Sequence, residues 1–350
     1  MSLYHREADH INVTVNEEIS PIIYVGASIV LGIIGFFGFT LNLIVAFIIV
    51  KDAQSLWTPV NVILFNMVVG DFIVAALGNP LAMISAINGG WYWDYNMCLW
   101  YAWFMSTLGF ASIGNLTVMA VERWLLITRP MKALSIRHAM FLAFAVWIYA
   151  LSLSLPPLFG WGSYGPEAGN VSCSVSWEVH DSATNSDSYI GFLFILGLVL
   201  PVVVIVTSYF AIVITTIRVK RKAGKKDYTR DLSAFIFRFF FFFRTCAGTR
   251  GRREAKVTKM VALMISTFLI AWSPYAALAL AAQYFNVKPS PSVAVLPALL
   301  AKSSICYNPI IYAGLNAQFP RSLKKILGIR DIETGTNGSQ QTALTTINKQ

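Results

Sequence analysis

Residues 292–315 read SVAVLPALLAKSSICYNPIIYAGL, an apolar stretch whose one charged residue is Lys302. A helix of about 20 residues crosses the roughly 30 Å hydrocarbon core of a bilayer, so this stretch is long enough to span one. Because lipid offers no hydrogen-bond partners to the backbone, a spanning segment must be helical. The stretch therefore predicts a transmembrane helix with a lysine well inside the apolar layer.

Six further apolar stretches of similar length precede it. Of the 350 residues, 56% are hydrophobic and 13% are charged, and the mean hydropathy is +0.60. This composition excludes an ordinary soluble domain of the same size. We predict an all-α membrane protein, a seven-transmembrane helix bundle, with spans at residues 22–50, 60–84, 98–124, 138–160, 188–218, 255–283 and 292–315.

The lysines and arginines indicate the orientation of the bundle. If the N-terminal segment 1–21 is extracellular, 24 of the 27 lie on the cytoplasmic side, and Arg6, Lys288 and Lys302 are the exceptions. This asymmetry satisfies the positive-inside rule, and it makes Asn12 a predicted glycosylation site. The cations lie in short tracts between spans and not over one folded face, so membrane lipid is a predicted partner and nucleic acid is not.

The spans 22–315 form one predicted transmembrane domain, and residues 316–350 follow it. An amphipathic eighth helix is expected from Ala317 to Leu327, with its apolar side chains toward lipid and with Arg321, Lys324 and Lys325 toward headgroups. A polar cytoplasmic tail completes the chain.

Two of the four cysteines are predicted to form a disulfide. Cys98 at the start of the third span and Cys173 after the fourth both lie on the oxidising side of this topology. Cys246 is cytosolic and Cys306 lies inside a span. A bridge between Cys98 and Cys173 would hold the intervening loop across the mouth of the bundle as a lid.

Lys302 is the residue most indicative of function, because a charge at the centre of a spanning helix costs at least about 2.5–3.5 kcal/mol. A buried amine that has lost its proton is a nucleophile toward an aldehyde. The alternative is a structural ion pair with an acid of another helix, and the lysine alone leaves both open. The four histidines lie outside the apolar cores of the spans, so no metal site is predicted.

Several motifs resemble those of rhodopsin-like G-protein-coupled receptors. Glu122-Arg123-Trp124, Trp272-Ser273-Pro274-Tyr275 and Asn308-Pro309-Ile310-Ile311-Tyr312 resemble the family's (D/E)R(Y/W), CWxPY and NPxxY motifs, and Asn42 and Asp71 resemble its polar landmarks on the first two helices. Lys302, six residues before Asn308, matches the retinal-binding lysine of opsins. The chain looks most like ciliary-type opsins of the pteropsin and encephalopsin branch.

The resemblance implies a light-sensing receptor and not an enzyme. Retinal, 11-cis in the dark state, is expected to be bound to Lys302 as a Schiff base. A tryptophan at the position of Trp272 lines the retinal pocket in the family, and Tyr275 of the same motif and Tyr101 on the third helix are further expected contacts.

A cation buried at Lys302 needs a negative partner. Vertebrate visual opsins carry a glutamate three residues after the cysteine of the third helix, where this chain has Tyr101, and a neutral tyrosine cannot neutralise a cation. Glu167, six residues before Cys173, matches the loop glutamate that is the counterion in many bistable opsins. Glu167 is the predicted counterion, although Glu178, Asp94 and Asp181 lie on the same side.

The resemblance also implies a switch for a heterotrimeric G protein. Arg123, beside Glu122, is expected to pair with Glu254 at the base of the sixth helix, and breaking the pair would let that helix swing outward. Kinks at Pro201, Pro274 and Pro309 would supply hinges. Asn308, Pro309 and Tyr312 are expected in the same switch, and Asn42 and Asp71 in a polar network beside it.

Further partners and two other classes of function follow from the same resemblance. Asn316-Ala317-Gln318 departs by one residue from the NKQ tripeptide of transducin-coupled opsins, which favours an inhibitory-type G protein. Serines and threonines of the tail predict a receptor kinase and arrestin as partners. The expected location is the plasma membrane of photoreceptive or neural cells. A retinal photoisomerase and a receptor for a diffusible ligand remain as alternatives.

The cytoplasmic loop 219–253 is longer than in the resembling opsins and contains five consecutive phenylalanines at 239–243. One interpretation is an interfacial helix that lies on the membrane. The other is a retained short intron over approximately 224–247, because a translated polypyrimidine tract gives a run of phenylalanine.

Overall fold

The computed structural model describes residues 20–222, 249–285, 287, 289–316 and 318–328. The predicted glycosylation site at Asn12, most of the loop 219–253 and the serines and threonines of the tail lie outside these residues. Seven helices of the described part are long and apolar enough to cross a bilayer, which agrees with the predicted seven-helix bundle.

Seven long helices, α1 to α7, are followed by a short α8. Short helical turns at Ala53–Leu56, Pro130–Lys132 and Pro156–Phe159 lie in the connections. The bounds are α1 Pro21–Lys51, α2 Pro59–Ile87, α3 Tyr95–Thr128, α4 Ile136–Ser154, α5 Ser186–Phe194 continued by Ile195–Val199 and Leu200–Lys222, α6 Thr249–Phe285, α7 Pro291–Leu315 and α8 Phe319–Ile326.

The start of α4 and its early end both follow from residue type. The Ser135 side chain caps the helix by accepting a hydrogen bond from the His138 backbone N–H. The predicted span reached residue 160, but α4 ends at Ser154. Pro156 and Pro157 have no N–H to continue the helical ladder, so the chain leaves the helix there.

Three of the spanning helices contain a turn that is not α-helical, and each turn lies just before a proline. They are the π-helical turns Val74–Gly78 and Ile195–Val199, before Pro80 and Pro201, and the 3₁₀ turn Ser304–Cys306, before Pro309. A proline removes a hydrogen bond and displaces the preceding turn. The distortions before Pro201 and Pro309 lie where kinks were predicted, whereas the distortion before Pro80 was not predicted. At Pro274, the third predicted kink, α6 is continuous.

A β-hairpin lies in the connection between α4 and α5. Its strands, β1 Tyr164–Pro166 and β2 Cys173–Val175, pair antiparallel with Pro166 opposite Cys173. Cys173 is bonded to Cys98 near the start of α3, as predicted. Because α3 packs against α2, α4, α5 and α6, the disulfide ties the hairpin to the middle of the bundle. We call this the hairpin end, and the opposite one the α8 end.

At the α8 end, a buried carboxylate anchors the short helix. Asp52, just after α1, accepts hydrogen bonds from Ser322 at 2.6 Å and from Lys325 Nζ at 2.8 Å. The observed helix starts at Phe319, two residues after the predicted start, and Lys325 contacts Asp52 where a contact with headgroups was expected. The hydrogen bonds from Lys325 and Ser322 hold the pKa of Asp52 below its usual range.

Asp52→Asn is expected to loosen α8. A carboxyl whose pKa is lowered by folding stabilises the folded state above its unfolded pKa, and the contribution disappears as pH falls through the folded pKa. Hydrogen bonds to a charged group contribute about 1.5–3 kcal/mol, and the lower end applies because Lys325 is largely exposed. Hydrogen–deuterium exchange of the α8 amides at neutral pH should therefore accelerate by roughly tenfold.

Acidification of the wild type should lower the protection of the α8 amides relative to their intrinsic exchange rate at each pH, whereas the protection in the variant should change less. Arg321→Gln, which changes an exposed cation of the same helix, is the matched control and should exchange like the wild type. Wild-type exchange rates in Asp52→Asn would show that this carboxylate does not anchor α8.

Candidate functional site

A cavity of about 410 Å³ lies toward the hairpin end of the bundle, between α3, α5, α6 and α7 and beneath β2. Most of its wall is apolar or aromatic. One group of polar side chains lies beneath the hairpin, and Asp71 and Ser112 line the cavity farther from it. All five residues predicted to bind the ligand line it, namely Tyr101, Glu167, Trp272, Tyr275 and Lys302. A mainly apolar cavity of this size with a few convergent polar groups has the character of a small-molecule site.

Lys302 reaches the cavity from the last turn before the 3₁₀ segment of α7. Its Nζ lies 3.1 Å from Ser172 Oγ and 3.7 Å from Glu167 Oε2. The Lys302 side chain is 12% exposed and that of Glu167 is 14% exposed, so the ion pair is largely shielded from solvent. The carboxylate comes from the hairpin loop. The structural alternative for Lys302 had predicted an acid from another helix.

The hairpin carries Glu167 to this point. The residue follows β1 directly, and its backbone N–H donates to the carbonyl of Ser172 at 2.8 Å across the turn. The Ser172 hydroxyl donates to Glu167 Oε2, and Tyr275 Oη lies 3.0 Å from Oε1. Burial alone would raise the pKa of Glu167, but Lys302 together with the hydroxyls of Ser172, Tyr275 and Ser174 holds that pKa below its usual value.

Tyr101 is fully buried on α3 beside the same polar end of the cavity. Its hydroxyl has no hydrogen-bond partner among the described residues, and its ring lies 5.2 Å from that of Trp91. The position that Tyr101 occupies therefore supplies a neutral hydroxyl to the site, and the negative charge comes from Glu167.

Trp272 forms part of the cavity wall toward the α8 end. Its indole N–H donates to Ser304 Oγ at 3.2 Å, and its ring stacks on Phe268 at 5.7 Å. A Cβ at Gly109 would lie 3.4 Å from the Trp272 ring, so the indole packs at van der Waals distance from α3. Trp272 thus connects the cavity to the 3₁₀ turn of α7.

A second cluster surrounds Arg123 near the α8 end of α3. Its guanidinium contacts Glu122, and its Nη1 lies 3.0 Å from Glu254 Oε2 on α6. The side chains of Arg123 and Glu122 are both 4% exposed, whereas that of Glu254 is 37% exposed. The pair that links α3 to α6 is therefore the more solvated of the two and the easier to break.

A polar network between the two sites includes Asp71 on α2. Asp71 accepts hydrogen bonds from Asn308 at 3.1 Å and from Ser112 at 3.3 Å. Asn42 does not join Asp71 directly, because its amide donates to the carbonyl of Ile305, in the 3₁₀ turn, at 3.0 Å and to that of Gly38 at 2.7 Å. Tyr312 is fully buried next to these groups and packs on Phe319, the first residue of α8.

Residues 41–312 match the family described as 7 transmembrane receptor (rhodopsin family). The chain belongs to this family. As a rhodopsin-family receptor it is a multi-pass membrane protein, and the matched range includes both the cavity and the Arg123 cluster.

Individual relatives agree with the family assignment. The chain is 32% identical over 309 residues to pinopsin of Gallus gallus, covering 87% of this chain and 81% of that one. It is 32% identical over 298 residues to the GQ-coupled rhodopsin of Mizuhopecten yessoensis, covering 83% of this chain and 57% of the relative. The crystal structure of squid rhodopsin superposes with a TM-score of 0.77 at 29% identity, covering 89% of this chain and 87% of that one.

Three residues in or beside this rhodopsin-family cavity were not identified from the sequence. Ser172 contacts both Lys302 and Glu167, while Ser174 and Trp177 contact Tyr275. For Ser172 and Ser174 the available signal was their place next to Cys173, because a residue beside a disulfide cysteine on a short hairpin is held close to α3; Trp177 follows β2 and carried no such signal. Their hydrogen-bond partners come from α6 and α7, which the sequence did not reveal.

Proposed function

We propose that this rhodopsin-family receptor senses light through retinal bound covalently at Lys302 Nζ, and that it passes the signal to a heterotrimeric G protein. The observation that carries the proposal is an amine inside a largely apolar cavity of about 410 Å³, with one carboxylate 3.7 Å away. The chain would then be an opsin, and the resemblance to the pteropsin and encephalopsin branch is part of the same proposal.

The residues present fit retinal chemically. Retinal is an apolar polyene with one aldehyde, and the cavity offers aromatic and aliphatic walls with one amine at its polar end. When bound, in the 11-cis form in the dark, retinal supplies absorption of visible light and a change of shape. Lys302 would hold it, and Tyr101, Trp272 and Tyr275 would line its site.

Glu167 would neutralise the positive charge at Lys302 Nζ. Ser172 lies within hydrogen-bond distance of both groups, so it would hold the amine and the carboxylate next to each other. Among the described residues, Glu167 is the acid within 4 Å of Lys302, which supports it over Glu178, Asp94 and Asp181. Tyr101 would contribute shape and a neutral hydroxyl.

The Arg123 cluster would be the G-protein switch. Breaking the partly exposed pair with Glu254 would free α6 to move away from α3 at the α8 end, while Arg123 stays paired with Glu122. Trp272, its bond to Ser304 and the network of Asn308, Pro309 and Tyr312 would connect the cavity to this switch.

The G-protein subtype, further partners and location are finer parts of the proposal. Asn316-Ala317-Gln318 supports an inhibitory-type G protein, although one similar relative is a GQ-coupled rhodopsin. A receptor kinase and arrestin would act on the tail. The N-terminal segment would lie outside the plasma membrane of photoreceptive or neural cells, because most cations then face the cytoplasm.

An absorption spectrum of the purified receptor with 11-cis-retinal tests the proposal. The wild type should show a band at longer wavelength than free retinal, and Lys302→Ala should show free retinal alone. Lys51→Ala, at the α8 end of α1, is the matched control and should keep the band. No band from well-folded wild type would favour a receptor for a diffusible ligand. A band without light-dependent nucleotide exchange on any G protein would favour a photoisomerase.

A further inference from the structure

Trp177 lies in the turn just after β2 and lines the cavity. Its indole N–H donates to Tyr275 Oη at 3.0 Å. The Trp177 ring packs edge-on against that of Tyr275 at 6.3 Å and against Phe194 at 5.6 Å. The indole is therefore held by rings from α5 and α6, and its one polar group points at the Tyr275 hydroxyl.

The Tyr275 hydroxyl has more partners than protons. Its oxygen lies 3.0 Å from Glu167 Oε1 and 3.0 Å from Ser174 Oγ. A phenol has one proton to donate, while its oxygen can also accept. Because Trp177 can only donate, it occupies the accepting side of Tyr275 Oη and leaves the proton for an acceptor. The charged carboxylate is a stronger acceptor than the Ser174 hydroxyl, so the proton is directed to Glu167.

We propose that Trp177 is a positioning residue, which orients the Tyr275 hydroxyl toward Glu167 and thereby keeps this carboxylate ionised beside Lys302. The chain of hydrogen bonds runs from the Trp177 N–H to Tyr275 Oη and from the Tyr275 O–H to Glu167. The inference rests on the proposed function in treating Glu167 as the counterion, but the chain of hydrogen bonds is a property of the protein alone.

The titratable groups that face Glu167 come from three helices. Lys302 on α7 favours the carboxylate, whereas Tyr101 on α3 and Tyr275 on α6 are phenols beside it. Ser172 and Ser174 add hydroxyls from the hairpin. Of these groups the Trp177 N–H contacts Tyr275, so its effect on Glu167 passes through the Tyr275 hydroxyl.

Trp177→Phe keeps a ring in place and removes the N–H. Without this donor the Tyr275 hydroxyl is less polarised and less firmly oriented, so it donates more weakly to Glu167 and the pKa of Glu167 rises. We expect the protonation midpoint of Glu167 to increase by about 0.5–1 pH unit, because a neighbouring hydrogen bond in a chain strengthens a bond by only a fraction.

The measurement is infrared difference spectroscopy of the receptor without retinal, titrated from neutral to acidic pH. The carbonyl stretch of protonated Glu167 is identified as the signal that Glu167→Gln lacks. Trp161→Phe is the matched control, because this indole of the same connection donates to Ser188 Oγ at 2.8 Å, away from Glu167. The control should titrate like the wild type.

Tyr275→Phe provides a second variant and a double-mutant test. It should raise the Glu167 midpoint at least as much as Trp177→Phe, and adding Trp177→Phe to it should cause no further shift. An unchanged midpoint in Trp177→Phe, an equal shift in Trp161→Phe, or a full additional shift in the double variant would each overturn the inference. Because retinal is absent, these results are independent of the absorption test of the proposed function.

Discussion

Glu167→Gln is expected to abolish the visible absorption band of the retinal-loaded receptor at neutral pH. The Lys302 Nζ lies 3.7 Å from the Glu167 carboxylate, and both side chains are shielded from solvent. Removing one partner of a buried ion pair costs about 3–5 kcal/mol, since the other charge stays buried without compensation. The positive charge at Nζ would be released as a proton, and absorption would move to the near ultraviolet. A free-energy cost of this size corresponds to a decrease of more than about a hundredfold in the fraction of receptor molecules that absorb visible light.

Acidification of Glu167→Gln should restore visible absorption, because protons in solution can then supply the lost charge at Nζ. The matched control is Glu178→Gln, which neutralises another acid of the same connection and should leave the band unchanged. The opposite result would be a visible band of wild-type intensity in Glu167→Gln and no visible band in Glu178→Gln. It would assign the counterion role to Glu178.

Cys98→Ser should greatly reduce the amount of folded receptor. The disulfide to Cys173 closes a segment of 75 residues and holds the hairpin that carries Glu167 and Ser172 over the cavity. Loss of a native disulfide typically costs about 2–5 kcal/mol, comparable to much of the stability of a domain. The measurement is the yield of folded receptor and its thermal midpoint in detergent.

Cys306→Ser is the control for this prediction, because Cys306 is a free cysteine inside α7. It should retain nearly the wild-type yield. If Cys98→Ser were as stable as Cys306→Ser, the hairpin would be held by packing of Tyr164, Val171 and Val175 in the core beneath it and not by the covalent bond.

The seven spans could be predicted closely because lipid solvates each helix along its own length, and an apolar stretch of sufficient length is a local property of the chain. The stretch around Lys302 is an example, since its span was predicted at 292–315 and is observed as Pro291–Leu315. The pairing of Cys98 with Cys173 was also accessible, because topology left these two cysteines on one side of the membrane.

The choice of partners within the bundle could be predicted only in part. As acids of one side Glu167, Glu178, Asp94 and Asp181 were equivalent, and Glu167 was selected by its resemblance to the loop glutamate of bistable opsins. The fold of the hairpin places it 3.7 Å from Lys302. The contacts that define the cavity join residues far apart in the chain: Lys302 meets Ser172 across 130 residues, and Trp177 meets Tyr275 across 98. A hydrogen bond requires heavy atoms about 3 Å apart. Composition and periodicity place a helix in the membrane, but they do not set its rotation or its height against a neighbour to that accuracy, so these contacts depend on how the helices and the hairpin pack.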